Sequence, residues 1–202
     1  AFLLGPTTSF YGNTVVVELT QSWNDQPVYV LYGHMSAVAV KRGQFVRAGD
    51  VLGKVGGTGV ANGGPHLHFE VRVGYNDYYS TRNPELWLKP FPKWGALAGR
   101  VVNSAGQLIP LVNVTIRSDK INSDAPVNRY LTTYAAETIN PDAAYGENFV
   151  VGDLPPGVSA YITPAAGRGA SSSAAYFRVA KEAQSGSFNT VIVYREENKD
   201  GR

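Results

Sequence analysis

Apolar and polar positions alternate along several short stretches of the chain. NTVVVEL (13–19), PVYVLYGHM (27–35) and HLHFEVRV (66–73) are rich in β-branched and aromatic residues and are separated by clusters of Gly, Asn, Asp and Pro. A period of two predicts strands, because successive side chains of a strand point to opposite faces. AVKRGQFVRAGDVLGKVGGTG (39–59) alternates on both sides of RAGD, which predicts a compact hairpin of short strands over a tight turn, with Gly43 and Gly49 serving the turn geometry. Helical periodicity is confined to short, interrupted Ala-rich pieces. The predicted fold class is therefore all-β.

The pattern divides near residue 95. NPELWLKPFPKWGALAG (83–99) gathers three prolines and two tryptophans, the composition of a semi-rigid connection with apolar side chains packed on a neighbour. Beyond it a new series of short strands begins in LAGRVVNSAGQLIPLVNVTIRS (97–118), continues in GENFVVGDLPPGVSAYITPAAG (146–167) and closes in FNTVIVYR (188–195), the spacing of a β-sandwich. The expected organisation is a first domain over 1–90, a Pro/Trp-rich linker over 91–96, a sandwich over 97–195 and a charged tail over 196–202.

Bulk composition narrows the partners. With 18 basic and 16 acidic residues the formal charge is only +2, so the chain lacks the electrostatic footprint of a nucleic-acid binder. Cysteine is absent, which removes disulfides and thiolate metal sites. No apolar run approaches the roughly 18 residues of a membrane-spanning helix, and AFLLGPTTSF at the start lacks the basic flank of a signal peptide. The chain opens on Ala, which is expected of a processed product or a fragment.

All three histidines fall between positions 34 and 68. On one strand, His66, His68 and Glu70 share a face, while Leu67, Phe69, Val71 and Val73 share the other, so one face carries polar chemistry and the other core. Same-side Cα atoms stand about 6.6 to 6.8 Å apart, which suits two imidazoles sharing a metal, or one binding it while its neighbour faces the metal-bound water. Spacing alone does not choose between these. In PVYVLYGHM the alternation puts Val28, Val30, Tyr32 and His34 on one face, so His34 reaches the pair only if its strand end lies beside theirs. Glu70 is a candidate to orient an imidazole, or else a solvent-exposed strand position.

YGNTVVVEL (11–19), LYGHMSAVAVKRGQFVRAGDVLGKVGGTG (31–59), GPHLHFEVRV (64–73) and NPELWL (83–88) resemble, in order and spacing, the C-terminal part of the lysostaphin-type or LytM-like zinc metallopeptidases that cut bacterial cell-wall peptidoglycan. That resemblance implies a β-sheet peptidase domain, Zn2+ as cofactor, His68 as a metal ligand, and His34 and His66 beside the metal-bound water and the scissile carbonyl. It implies a peptidoglycan peptide as substrate and an extracellular or cell-envelope location. The family carries a further ligand pair in an H-x-x-x-D motif upstream of the YGN strand, and this sequence has no His or Asp before Tyr11. Two expectations follow: a fragment of a longer enzyme, inactive as it stands, or a non-catalytic, degenerate relative that binds or regulates at the wall. The initial Ala favours the first.

Other features give weaker signals. The hairpin resembles the half-motif of lipoyl and biotinyl carriers, but Lys41 and Lys54 lack the setting of a modified lysine. GKVGGTGVANGGP (53–65) lacks the order of a phosphate loop and reads as a loop at the cleft rim. Tyr75, Tyr78, Tyr79 and Trp87 are candidates for an aromatic wall that contacts substrate. The C-terminal module resembles carboxypeptidase-regulatory-like, prealbumin-type sandwiches, which implies a spacer or a unit that contacts carbohydrate or protein.

Overall fold

The computed structural model describes residues 2–4, 10–92, 94–103, 105–118, 128–135, 139–155, 159–164, 170–172, 175–178 and 188–197. The chain divides into two compact units, 1–84 and 85–202. Among the described residues there is no α-helix, only two single 3-10 turns at Tyr78–Ser80 and Pro84–Leu86. None is long and apolar enough to cross a membrane.

The first unit is built on a five-stranded antiparallel sheet in the order β1 (Phe2–Leu4), β2 (Thr14–Glu18), β3 (Val28–Gly33), β6 (His68–Val73) and β7 (Thr81–Arg82). Runs of Val favour these strands because a branched Cβ packs well on a pleated surface. Val15 and Val16 are both fully buried although they point to opposite faces, so the centre of the sheet is covered on both sides. Val15 packs with Met35 and Val40. The opposite face buries Leu31 together with Glu70 and Arg72. The simple division into a polar face and a core face is thereby corrected: the polar face is buried too. Leu67, expected in the core, is half exposed because it precedes β6.

Between β3 and β6 lies a small hairpin of β4 (Ala37–Val38) and β5 (Gly53–Lys54), which are antiparallel. Its tip turns twice in the same way. The Gln44 N–H donates to the Lys41 carbonyl and the Asp50 N–H to the Arg47 carbonyl, and the side chains of Gln44 and Asp50 accept from the N–H groups of Lys41 and Arg47 in return. Gly43 and Gly49 stand at φ of 78° and 94°, where a Cβ would be strained.

The second unit pairs two four-stranded sheets. One is ordered β10 (Asn128–Thr132), β9 (Asn113–Ser118), β12 (Ser159–Pro164), β14 (Ala175–Arg178), and the other β11 (Phe149–Leu154), β8 (Gly95–Val102), β15 (Phe188–Glu197), β13 (Ala170–Ser172). Leu97, Val101, Phe149, Val151 and Leu154 from the second sheet meet Val112, Val114 and Ile116 around β9, which makes the core of a β-sandwich. β15 runs parallel to β8, and the remaining pairs are antiparallel. β8 starts at Gly95, so the end of the segment read as linker is already strand. Glu196 and Glu197, read as tail, extend β15, and residues 198–202 lie outside the described residues.

Ile116 is fully buried in this inter-sheet core. Ile116→Ala should lower the stability of the second unit by about 2–5 kcal/mol in denaturant unfolding of the whole chain. A loss below about 1 kcal/mol would mean that β9 does not seal the sandwich.

Candidate metal centre

The ends of two neighbouring strands create the site. β3 and β6 pair so that Gly33 faces His68, Tyr32 faces Phe69 and Leu31 faces Glu70. The end of β3 therefore does lie beside the start of the histidine strand. Gly33 leaves room for the ring opposite: a Cβ built there would stand 3.2 Å from the Cβ of His68. Strict alternation, however, would carry His34 to the face of Tyr32 and Phe69, away from His68. His34 escapes that fate by adopting the left-handed conformation, with φ of 58°. Such a conformation in a non-glycine residue costs on the order of 1–3 kcal/mol and persists only where its surroundings hold it. Here the His34 N–H donates to the Tyr11 carbonyl at 2.8 Å, and the Thr58 N–H donates to the His34 carbonyl at 3.3 Å.

The result is a cluster. The His34 ring lies 4.9 Å from that of His66 and 5.1 Å from that of His68, both edge-on. His66 is not within the regular strand; it forms an isolated bridge with Gly56, its N–H donating to the Gly56 carbonyl at 3.0 Å. His34 is buried, His68 half-buried and His66 exposed, so the cluster opens to solvent on the His66 side. Phe10, itself exposed, stands edge-on to both His34 and His68.

Each imidazole has one nitrogen occupied by a fixed partner. Nδ1 of His34 meets the Thr58 carbonyl at 2.9 Å, and Nδ1 of His66 meets the Gly64 carbonyl at 2.9 Å. A carbonyl only accepts, so in the neutral rings both protons sit on Nδ1 and both Nε2 atoms keep a lone pair. His68 is the reverse: its Nε2 meets Glu70 Oε1 at 2.7 Å, which puts the proton on Nε2 and the lone pair on Nδ1. One ring nitrogen from each of the three histidines lies within 4.8 Å of the others. Neutral imidazoles oriented by a carbonyl or carboxylate on the far nitrogen are the form in which histidine ligates metals.

Glu70 is buried, not solvent-exposed. Burial alone would raise its pKa, but the hydrogen bond from His68, the charge and hydrogen bonds of Arg72 and the Tyr11 hydroxyl hold it below the ordinary carboxylate value. Tyr11 is pushed up to about 12, chiefly by burial and then by the Glu70 carboxylate, so its phenol stays protonated.

The residues that support the cluster were less visible than the histidines. Thr58 does most for His34: besides its backbone contacts, its hydroxyl takes the Asn13 N–H and donates to the Met35 carbonyl, both at 2.9 Å. Nothing in a glycine-rich loop marks such a threonine. Arg72 was within reach of the same alternation that grouped His66, His68 and Glu70, being the next residue on that face. Of the aromatic residues, Tyr75 and Tyr79 are well exposed and Tyr78 stands edge-on to Tyr79, while Trp87 belongs to the second unit.

Residues 4–81 match the family model described as Peptidase family M23. A DD-carboxypeptidase/endopeptidase, Mpg, of Neisseria meningitidis is 43% identical over 63 residues, which are 31% of this chain and 13% of that protein. The cell division protein DipM of Caulobacter vibrioides is 42% identical over 62 residues, 31% of this chain and 9% of that protein. The chain thus spans only about a tenth of the length of these curated relatives. A crystal structure of the catalytic domain of EnpA, a prophage-encoded M23 protein of Enterococcus faecalis, is 29% identical with a TM-score of 0.35, covering 42% of this chain and 58% of that one. The segment that carries the three histidines, residues 4–81, is thus similar to peptidase family M23 domains.

Proposed function

We propose that the first unit forms part of a zinc-dependent endopeptidase acting on peptide bonds of bacterial cell-wall peptidoglycan, with His68 as a metal ligand and His34 and His66 as catalytic residues. The observation that carries this reading is the convergence of three imidazoles whose far nitrogens are all taken by fixed acceptors. The donor set fits zinc, which favours neutral imidazole with an outer hydrogen-bond partner. The M23 match and a relative named as an endopeptidase support peptide-bond hydrolysis.

When bound, zinc lowers the pKa of its water towards neutrality and polarises the scissile carbonyl. His68 would hold it through Nδ1, fixed by the Glu70 carboxylate on Nε2. With Nδ1 of each turned to a carbonyl, His34 and His66 keep Nε2 to take up or return a proton and to stabilise charge on the carbonyl oxygen. Joint coordination by all three is a tighter demand: ligand nitrogens on a tetrahedral zinc stand roughly 3.4 Å apart, given Zn–N distances of about 2.0–2.1 Å. The three nitrogens lie within 4.8 Å of one another.

A second reading rests on the ligand count. The sequence supplies His68 but no H-x-x-x-D pair, and a catalytic zinc takes about three protein ligands. On that reading the domain binds or regulates at the wall without cutting. The second unit, which resembles carboxypeptidase-regulatory-like modules, then serves under either reading as a spacer or as a contact to carbohydrate or protein.

Metal analysis after dialysis should find that His68→Ala removes residual zinc, whereas His34→Ala and His66→Ala retain it. Zinc lost equally in all three variants would point to a three-histidine site. The 202-residue chain by itself should hold zinc weakly and release no soluble fragments from purified walls. A version supplied with an upstream H-x-x-x-D segment should hydrolyse them, with His34→Ala or His66→Ala slowing release about 10²–10⁴-fold. No hydrolysis by the extended version, despite stoichiometric zinc, would favour the non-catalytic reading.

A further inference from the structure

His68, Glu70 and Arg72 succeed one another on a single face of β6, and their contacts are unequal in a telling way. An arginine beside a carboxylate usually forms a fork, with one N–H to each oxygen. In this strand both near nitrogens of Arg72 converge on the same oxygen: Nε lies 2.8 Å and Nη2 2.7 Å from Glu70 Oε2. Oε1 is left to His68, whose Nε2 donates to it at 2.7 Å.

The guanidinium is held in this one-sided position by two further contacts. Nη1 donates to Asn76 Oδ1 at 2.8 Å and Nη2 to the Tyr11 hydroxyl at 3.1 Å, and the group lies 5.5 Å from the centre of the Tyr11 ring. Arg72 and Glu70 are both buried, which shields the pair from solvent. Rotating the guanidinium to reach Oε1 would break the contacts to Asn76 and Tyr11 and leave buried donors unpaired.

We propose that Arg72 is a positioning residue of the metal centre: it saturates one oxygen of Glu70, anchored by Asn76 and Tyr11, and so reserves the other oxygen for His68. This rests on the reading of His68 as a ligand. The consequence is a single tautomer. Because a carboxylate oxygen only accepts, His68 facing Oε1 keeps its proton on Nε2 and leaves Nδ1 bare for the metal. A lysine at 72 would be a mobile point charge able to reach either oxygen and to compete with His68 for Oε1.

The test uses the whole chain and two variants, Arg72→Lys and the milder Asn76→Ala at an exposed position. Zinc affinity is measured by competition with a chromophoric chelator. The His68 tautomer is read from ring ¹⁵N shifts in metal-free protein. Arg72→Lys should weaken zinc binding about tenfold or more and give a mixture of His68 tautomers, with a smaller change of the same kind in Asn76→Ala. A purely structural role for Arg72 would lower thermal stability without disturbing the tautomer. Wild-type zinc affinity and a single Nε2–H tautomer in both variants would overturn the proposal. If Arg72→Lys fails to fold, Asn76→Ala decides by the same two readouts. If the wild-type chain binds no zinc through His68, the ligand assignment falls, while the tautomer populations still decide whether Arg72 positions Glu70.

Discussion

The hydrogen bond between His68 Nε2 and Glu70 Oε1 is the contact on which the centre depends. It decides which nitrogen of His68 bears the proton, and so which atom faces the cluster. It also explains why a carboxylate and a guanidinium lie buried inside a small sheet. Removing two charges from water costs several kcal/mol per ion, and a buried pair seldom repays that in stability alone. The Glu70–Arg72 pair is better understood as the means by which a flexible imidazole is held in one orientation.

His34 carries the second constraint. Its left-handed backbone is tolerated because Tyr11 and Thr58 fix both its N–H and its carbonyl, and because Thr58 also takes its Nδ1. The strain is local, the restraint comes from two separate loops, and the outcome is a ring turned across the end of the sheet. Backbone strain of this kind is commonly stored where a side chain must be placed against the preference of its strand.

Much of this was legible in the sequence. Period-two alternation found β2, β3 and β6 and the common face of His68 and Glu70, though His66 lies before the regular strand, and Gly-containing four-residue turns marked the hairpin tip. The placement of His34 was not legible, because alternation assigns a face only while the backbone stays extended and His34 leaves the strand at that residue. Nor was the burial of Glu70 and Arg72: a polar residue on an alternating strand reads as solvated until a partner on the same face is seen to neutralise it. Thr58 was hidden for another reason, since its contacts with His34, Asn13 and Met35 span 24, 45 and 23 residues of chain and leave no local pattern.

The central claim is that His68 binds metal through Nδ1 while Nε2 stays protonated against Glu70. Titrating zinc into ¹⁵N-histidine-labelled protein and following each ring nitrogen tests it most directly. The account predicts a ligation shift at Nδ1 of His68 with the Nε2 proton retained, and only small changes at the Nδ1 protons of His34 and His66. A ligation shift at Nε2 of His68, or ligation at His34 and His66 with His68 untouched, would contradict it.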